Sequence, residues 1–77
     1  MVEAPVRDAI VVWDGRVLEV FAMDSSLRWY GPVLPELELD GDMLKVKTTD
    51  RGVKFWMVDD GQKAQVEALI EAVGRPS

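Results

Sequence analysis

One stretch near the C-terminus, residues 59–73, is the only part of the chain whose apolar residues recur at helical spacing. Its apolar stripe consists of Val66, Leu69, Ile70 and Val73. Asp59 and Gln62 have the spacing of a capping box, and Gly74 followed by Pro76 is a typical helix end. The residues before 59 alternate in the manner of β-strands. The sequence therefore predicts an antiparallel sheet whose apolar face is covered by one C-terminal helix.

The composition restricts the classes of function open to the chain. Its 77 residues suit one domain, and it contains neither cysteine nor histidine, so disulfides and the commonest general base are excluded. A formal charge of −5 argues against nucleic acid and anionic membranes as partners. No apolar run approaches the roughly 20 residues that span a bilayer, and residues 1–10 lack the apolar core of a signal peptide. We expect a cytoplasmic protein.

The chain before the helix divides into a lead-in and a run of strands. Residues 1–7 are predicted to be loosely ordered, because Pro5 interferes with regular structure. Residues 8–58 carry five or six antiparallel strands, with an interruption at Pro32 and Pro35. The predicted fold class is α+β, a strongly bent antiparallel sheet with one helix packed on it.

The first hairpin is apolar on both faces. The pair Asp14-Gly15 is a strong two-residue turn signal and places Val12 opposite Val17. The two apolar sets are Val11, Trp13, Leu18, Val20 and Ala22 on one face and Ile10, Val12, Val17, Phe21 and Met23 on the other. We expect such a hairpin to be buried on both sides, either by bending over the core like a barrel or by another chain.

The second hairpin turns at Gly41-Asp42, which suits a type II′ turn with glycine first. Its predicted register pairs Leu39 with Leu44, Leu37 with Val46, Glu38 with Lys45 and Glu36 with Lys47. A further strand follows a turn around Asp50-Arg51-Gly52. The predicted inner face comprises Leu37, Leu39, Leu44, Val46, Val53, Phe55 and Met57.

No catalytic residue, cofactor or metal site is predicted. Ser25 and Ser26 have no histidine to activate them, and serine in a turn is typically a cap or turn former. The acids of residues 36–40 resemble the first half of a calcium loop, but Lys47 stands where the loop needs its last acid. We expect a protein without enzymatic activity and without a small-molecule substrate.

Basic and aromatic side chains form the candidate interaction surface. Its residues are Trp13, Arg28, Trp29, Tyr30, Lys45, Lys47, Lys54 and Trp56, with Arg51 in the same basic cluster. Two functions remain open: a protein interface, most simply between copies of this chain, and a face that binds lipid headgroups or nucleic acid. Because a core of this size barely offsets the entropy of folding, we favour a self-associating interaction module.

The order of elements resembles the pleckstrin-homology-like (PH-like) fold in its small bacterial form. The resemblance rests on Leu27-Arg28-Trp29-Tyr30, on Leu44-Lys45-Val46 leading to Gly52-Val53-Lys54-Phe55, and on residues 66–73. It implies a scaffold that contacts proteins, peptides or itself, with no catalytic residues. Complete members have seven strands, against six at most predicted here. The first hairpin loop also lacks the basic residues of phosphoinositide-binding members, so lipid binding is not implied.

Overall fold

The computed structural model describes residues 1–49 and 52–74 as seven strands, two short 3-10 helices and one α-helix. The strands are β1 (Val2–Val6), β2 (Ala9–Trp13), β3 (Val17–Ala22), β4 (Ser26–Tyr30), β5 (Glu36–Asp40), β6 (Met43–Lys47) and β7 (Val53–Met57). The 3-10 helices are Gly31–Val33 and Asp60–Gln62, and helix α1 is Lys63–Gly74. The α+β class, the antiparallel strands and the C-terminal helix are confirmed.

The strands form two antiparallel sheets, not the single sheet of five or six strands predicted from the sequence. The first sheet has the order β1-β2-β3-β4 and the second the order β5-β6-β7. The division falls at the prolines: Pro32 lies in the 3-10 helix that ends β4, and Pro35 is buried just before β5 begins. Proline cannot donate to a strand ladder, so the chain turns to a second layer at this point.

The prediction of a loose lead-in over residues 1–7 is wrong, because Val2–Val6 form strand β1. This strand lies at the edge of the first sheet and pairs only with β2 among the described strands. A proline is tolerated on an edge strand, and Pro5 occupies such a position opposite Ile10. Ala4 and Val6 alternate with it and face the core.

The first hairpin keeps its predicted faces but not its predicted register. Trp13 lies opposite Leu18, and Val12 lies opposite Glu19 instead of Val17. The cause is Asp14, whose Oδ1 accepts the backbone N–H groups of Arg16 and Val17 at 2.8 and 2.7 Å. Asp14 therefore precedes the turn instead of forming its first central residue. The shift is two residues, which leaves every side chain on its predicted face.

Only one face of that hairpin is buried. The inner set lies in the core, whereas Ile10 and Phe21 on the other face are 47% and 46% exposed. Residues of α1 cover the inner side of β1 and β2 and not the outer one. Bending over the core therefore does not bury the second face in the single chain, and cover by another chain, the alternative expectation, stays a prediction.

The β5–β6 hairpin has the predicted register at every pair, including Leu39 opposite Leu44 and Glu38 opposite Lys45. Its turn also agrees, since Gly41 has the positive φ of +62° that a glycine-first turn requires. The ion pairs run along the diagonals: Lys45 Nζ lies 2.9 Å from Asp40, and Lys47 Nζ lies 3.5 Å from Glu38.

Strand β7 presents the face opposite to the one predicted. Trp56 pairs with Leu44 and Lys54 pairs with Val46, so the side chains of Trp56 and Lys54 lie on the inner face. Phe55 and Val53 point outward and are 52% and 46% exposed. The bond from Thr48 N–H to the Gly52 carbonyl fixes this register. Of the predicted turn, Asp50 and Arg51 lie outside the described residues.

The helix covers the core as predicted. Val66 and Leu69 are fully buried, and Ile70 and Val73 pack against them, so the apolar stripe faces the sheets. Gln62 Oε1 accepts the Asp59 N–H at 3.0 Å, in the manner of the expected capping box. The first turn is 3-10, so α1 begins at Lys63, and Gly74 is its last residue. Pro76 lies outside the described residues.

Both sheets and the helix share one core. The buried apolar residues are Ala4, Val6, Ala9, Val11, Leu18, Val20 and Trp29 from the first sheet, Leu44 and Val46 from the second, and Val58, Val66 and Leu69. Arg7 N–H also bonds the Met57 carbonyl at 2.9 Å, which joins the end of β1 to the end of β7.

Replacing Leu69 by alanine tests the position of the helix. Leu69 is fully buried, so the variant should lose about 2–5 kcal/mol of unfolding free energy. Urea denaturation followed by circular dichroism measures the loss. Gln65→Ala, on the exposed side of the same helix, is the matched control and should stay within about 0.5 kcal/mol. Equal losses in both variants would contradict the packing described.

The first hairpin should make stability depend on pH through Asp14. The backbone N–H groups of Val17 and Arg16 stabilise its carboxylate and lower its pKa in the folded chain. This contribution is complete above the ordinary aspartate pKa of about 3.9 and is lost as the pH falls through the lower, folded-state value. Asp14→Asn lacks this titration. The difference in unfolding free energy between the two chains should therefore shrink in acid, and a constant difference would contradict the prediction.

Candidate functional site

The outer face of the first sheet leaves several apolar side chains uncovered in the described part of the chain. Antiparallel register places Pro5, Ile10 and Phe21 side by side across β1, β2 and β3. Val17 and Tyr30 lie side by side further along, on β3 and β4. Hereafter, the outer patch denotes the apolar residues of this face: Pro5, Ile10, Val12, Val17, Phe21 and Tyr30.

One polar row crosses the outer patch. The register brings Glu3, Val12, Glu19 and Arg28 into line across the four strands. Arg28 Nη2 donates to Glu19 Oε2 at 3.3 Å, which neutralises both charges. The two side chains are unequally exposed, at 64% for Arg28 and 23% for Glu19. The cation is therefore the more accessible member of the pair.

An open groove of about 420 Å³ runs beside β4, at the edge of the outer patch. Its lining comprises every residue of β4 together with Pro32 and Val33. Among the described residues, β3 is the only strand that pairs with β4, so the other side of β4 is a free edge. The groove follows that edge and ends at the 3-10 helix.

The three tryptophans do not form a surface. Trp29 points inward from β4 and is only 6% exposed. Trp13 and Trp56 are half-buried and pack against the same core. The three indoles therefore contribute to the core of the single chain, and their positions give no reason to expect a partner that covers them.

The predicted basic residues are also separated. Lys45 and Lys47 point outward from β6, each paired with an acid, whereas Lys54 lies on the inner side of β7. A hydrogen bond to Asp40 and its charge raise the pKa of Lys45. Arg51 lies outside the described residues. From the predicted surface, the structure brings together Arg28 and Tyr30 on the outer face of the first sheet and Lys45 and Lys47 on the outer face of the second.

Of the outer patch, sequence reasoning names only Tyr30 as a site residue. Ile10, Val12, Val17 and Phe21 form the second apolar face of the predicted hairpin, which is expected to be buried either by bending over the core or by another chain. The available signal was that one helix can cover only one face of the sheet. In the described residues, no cluster of three or more acidic side chains could hold a metal ion. None of their helices is long and apolar enough to cross a membrane.

Comparison of the chain with protein-family models, with curated proteins and with solved structures finds no match.

Two neighbouring residues of β7 test which face points inward. Trp56→Ser removes an indole packed on the core and should cost about 2 kcal/mol or more of unfolding free energy. Phe55→Ser changes a side chain that is 52% exposed and should cost less than about 1 kcal/mol. Denaturant titration of the two variants measures both values. The reverse order would mean that the face predicted from the alternation of Val53, Phe55 and Met57 is correct.

Proposed function

We propose that this protein is a non-enzymatic interaction module that associates with copies of itself through the outer patch. The observation that carries the proposal is the exposure of Ile10, Phe21 and Tyr30 at 47%, 46% and 61% on one continuous sheet face. Apolar patches of this kind on small proteins usually mark an interface. We therefore expect the homodimer to form through the outer patch and not through the sheet face that carries Trp56.

Comparison with the second sheet supports this choice of surface. The outer face of that sheet also exposes Phe55 and Val53. However, it carries Glu36, Glu38, Asp40, Lys45 and Lys47 among them, so charge dominates it. The strands of the first sheet place only three charged residues, Glu3, Glu19 and Arg28, on their outer face, and Glu19 and Arg28 form an ion pair. Interface cores are depleted of charged side chains, so the first sheet fits better.

The small size of the core is an energetic reason for self-association. Burial of an apolar side chain stabilises by roughly 1.5–3 kcal/mol when complete, and the outer patch leaves about half of that unused at Ile10 and Phe21. Covering the patch with a second copy recovers this free energy. Association then stabilises the fold by mass action.

The alternative function, binding of lipid headgroups or nucleic acid, has less support. It needs Lys45, Lys47, Lys54 and Trp56 on one face of the second sheet. The register instead places Lys54 and Trp56 on the inner face and Lys45 and Lys47 on the outer face. The net charge of −5 also opposes anionic ligands. This alternative predicts retention on anionic vesicles or oligonucleotides at low salt, which the proposed module should not show.

We further propose that the fold of this interaction module is PH-like. Seven strands instead of six remove one of the two departures from that fold. The other departure stays, since the β1–β2 and β2–β3 hairpin loops are both short, at residues 7–8 and 14–16. Such scaffolds are expected to contact proteins or peptides and carry no catalytic residues. The cytoplasmic location likewise stays a prediction.

The proposal is tested by the molecular mass of the chain in solution. Sedimentation equilibrium should give a dimer whose population rises with concentration. Phe21→Ser should weaken association at least about tenfold, which corresponds to 1.4 kcal/mol, because each dimer loses two half-buried rings. Phe55→Ser is the matched control, with the same substitution and similar exposure on the other sheet, and it should leave the dissociation constant within about twofold. A monomer at every accessible concentration would overturn the proposal.

A further inference from the structure

The polar row that crosses the outer face carries opposite charges at its two ends. Its order across the four strands is Glu3, Val12, Glu19 and Arg28. Glu3 on β1 is exposed, and no ion pair within residues 1–49 and 52–74 involves it. Arg28 on β4 uses Nη2 for Glu19 and is 64% exposed, so its other N–H groups are open to a second acid. The row thus offers an exposed carboxylate at its β1 end and an accessible guanidinium at its β4 end.

An interface between two identical copies requires a surface that is complementary to itself. About a two-fold axis, residue i of one copy contacts residue j of the other, and j contacts i. A row with opposite charges at its ends meets this requirement when the axis reverses the row. Glu3 then faces Arg28 at both ends. A partner of other chemistry would have to supply a matching pattern of acid and base, whereas a second copy already has it.

We propose that a second copy packs face to face on the outer patch about a two-fold axis that runs parallel to the strands, between β2 and β3. Glu3 of each copy then pairs with Arg28 of the other. The inference rests on the proposed self-association and names its contact. Aligned sheets pack about 10 Å apart, with their strand directions within about 30° of each other. A glutamate and an arginine side chain are together long enough to meet across this distance.

The apolar side chains agree with this axis. Ile10 and Phe21 oppose each other on the two central strands of the sheet. Because the axis reverses the strand order, Ile10 of each copy lies over Phe21 of the other. Pro5 on β1 lies over Ser26 on β4, where the small serine side chain leaves room for the proline ring. The contact covers the outer patch itself and uses no sheet edge.

An axis that runs across the strands is less favourable. It keeps each strand over its own copy, so an axis at the polar row would set Glu3 against Glu3 and Arg28 against Arg28. Like charges that face each other oppose association. An axis at the row of Ile10 avoids this repulsion. However, Tyr30 lies on the far side of the polar row and would then project beyond the end of the partner sheet.

Neutralising Glu3 distinguishes the two orientations at the polar row by the sign of the effect. Glu3→Gln should raise the dissociation constant of the dimer about threefold to tenfold, because each dimer loses two ion pairs. The substitution also removes negative charge from a chain of net charge −5, which by itself favours association. Glu36→Gln, at an exposed position on the second sheet, makes the same charge change and is the matched control. It should leave the dissociation constant unchanged or slightly lower, as measured by sedimentation equilibrium at low salt.

Charge exchange tests whether the two residues meet. Glu3→Arg and Arg28→Glu should each weaken the homodimer at least about tenfold, since like charges then face each other at both contacts. In an equimolar mixture of the two variants, both contacts of the heterodimer again join an acid to a base. The heterodimer, identified by its mass, should therefore have a dissociation constant at least about tenfold below that of either homodimer. Damage to the fold of one variant would not produce this recovery.

The outcomes separate this inference from the proposal on which it rests. If the natural chain is a dimer but Glu3→Gln tightens it or leaves it unchanged, the axis is wrong and only this inference fails. The same holds if both charge variants are folded by circular dichroism but show no preference for the heterodimer. Should a charge variant be unfolded, Glu3→Gln decides alone, since it keeps the shape of the side chain. A natural chain that is monomeric at every accessible concentration overturns both proposals.

Discussion

The seating of helix α1 on both sheets is the contact on which the rest of the structure depends. The helix packs on β1 and β2 of the first sheet and on β5 of the second, so it bridges two layers that separate after Val33. Ala4 on β1, the strand against which the helix packs, is fully buried in the shared core. Arg7 Nη2 lies 2.8 Å from Asp59 Oδ1 at the start of the helical segment. The helix thus determines which face of each sheet is inside, and the opposite faces are left to water.

Parts of the chain where two independent patterns agree could be predicted from the sequence. In the β5–β6 hairpin, the apolar face and the charged face require the same register, and the glycine of the turn requires it as well. The apolar stripe of α1 agrees in the same way with Gln62 at its start. Each agreement excludes a one-residue shift, because such a shift would bury charge and expose leucine. The predicted register and the predicted helix face are confirmed where a one-residue shift would cost the most free energy.

Elsewhere the competing arrangements differ little in the chemistry of their side chains. Strand β7 alternates Phe55 with Trp56, so either face could be inside, and the bond between Thr48 and Gly52 decides. The hairpin register depends on Asp14, whose carboxylate can act before or within a turn. Strand β1 was missed because proline is a breaker in a central strand but not at an edge. These outcomes depend on tertiary context, which local patterns do not contain.

The candidate site on the outer face of the first sheet is also a result of tertiary context. The β2–β3 hairpin has apolar residues on two faces, and residues 1–49 and 52–74 contain one α-helix to cover them. Its inner set has that cover. Ile10 and Phe21 on the other face keep the composition of an interior without its burial. Beside them, β4 ends the sheet with a row of backbone groups, without proline or an acid and with Arg28 as its one charged residue. A second copy that packs against this face would supply the cover that the single helix does not give it.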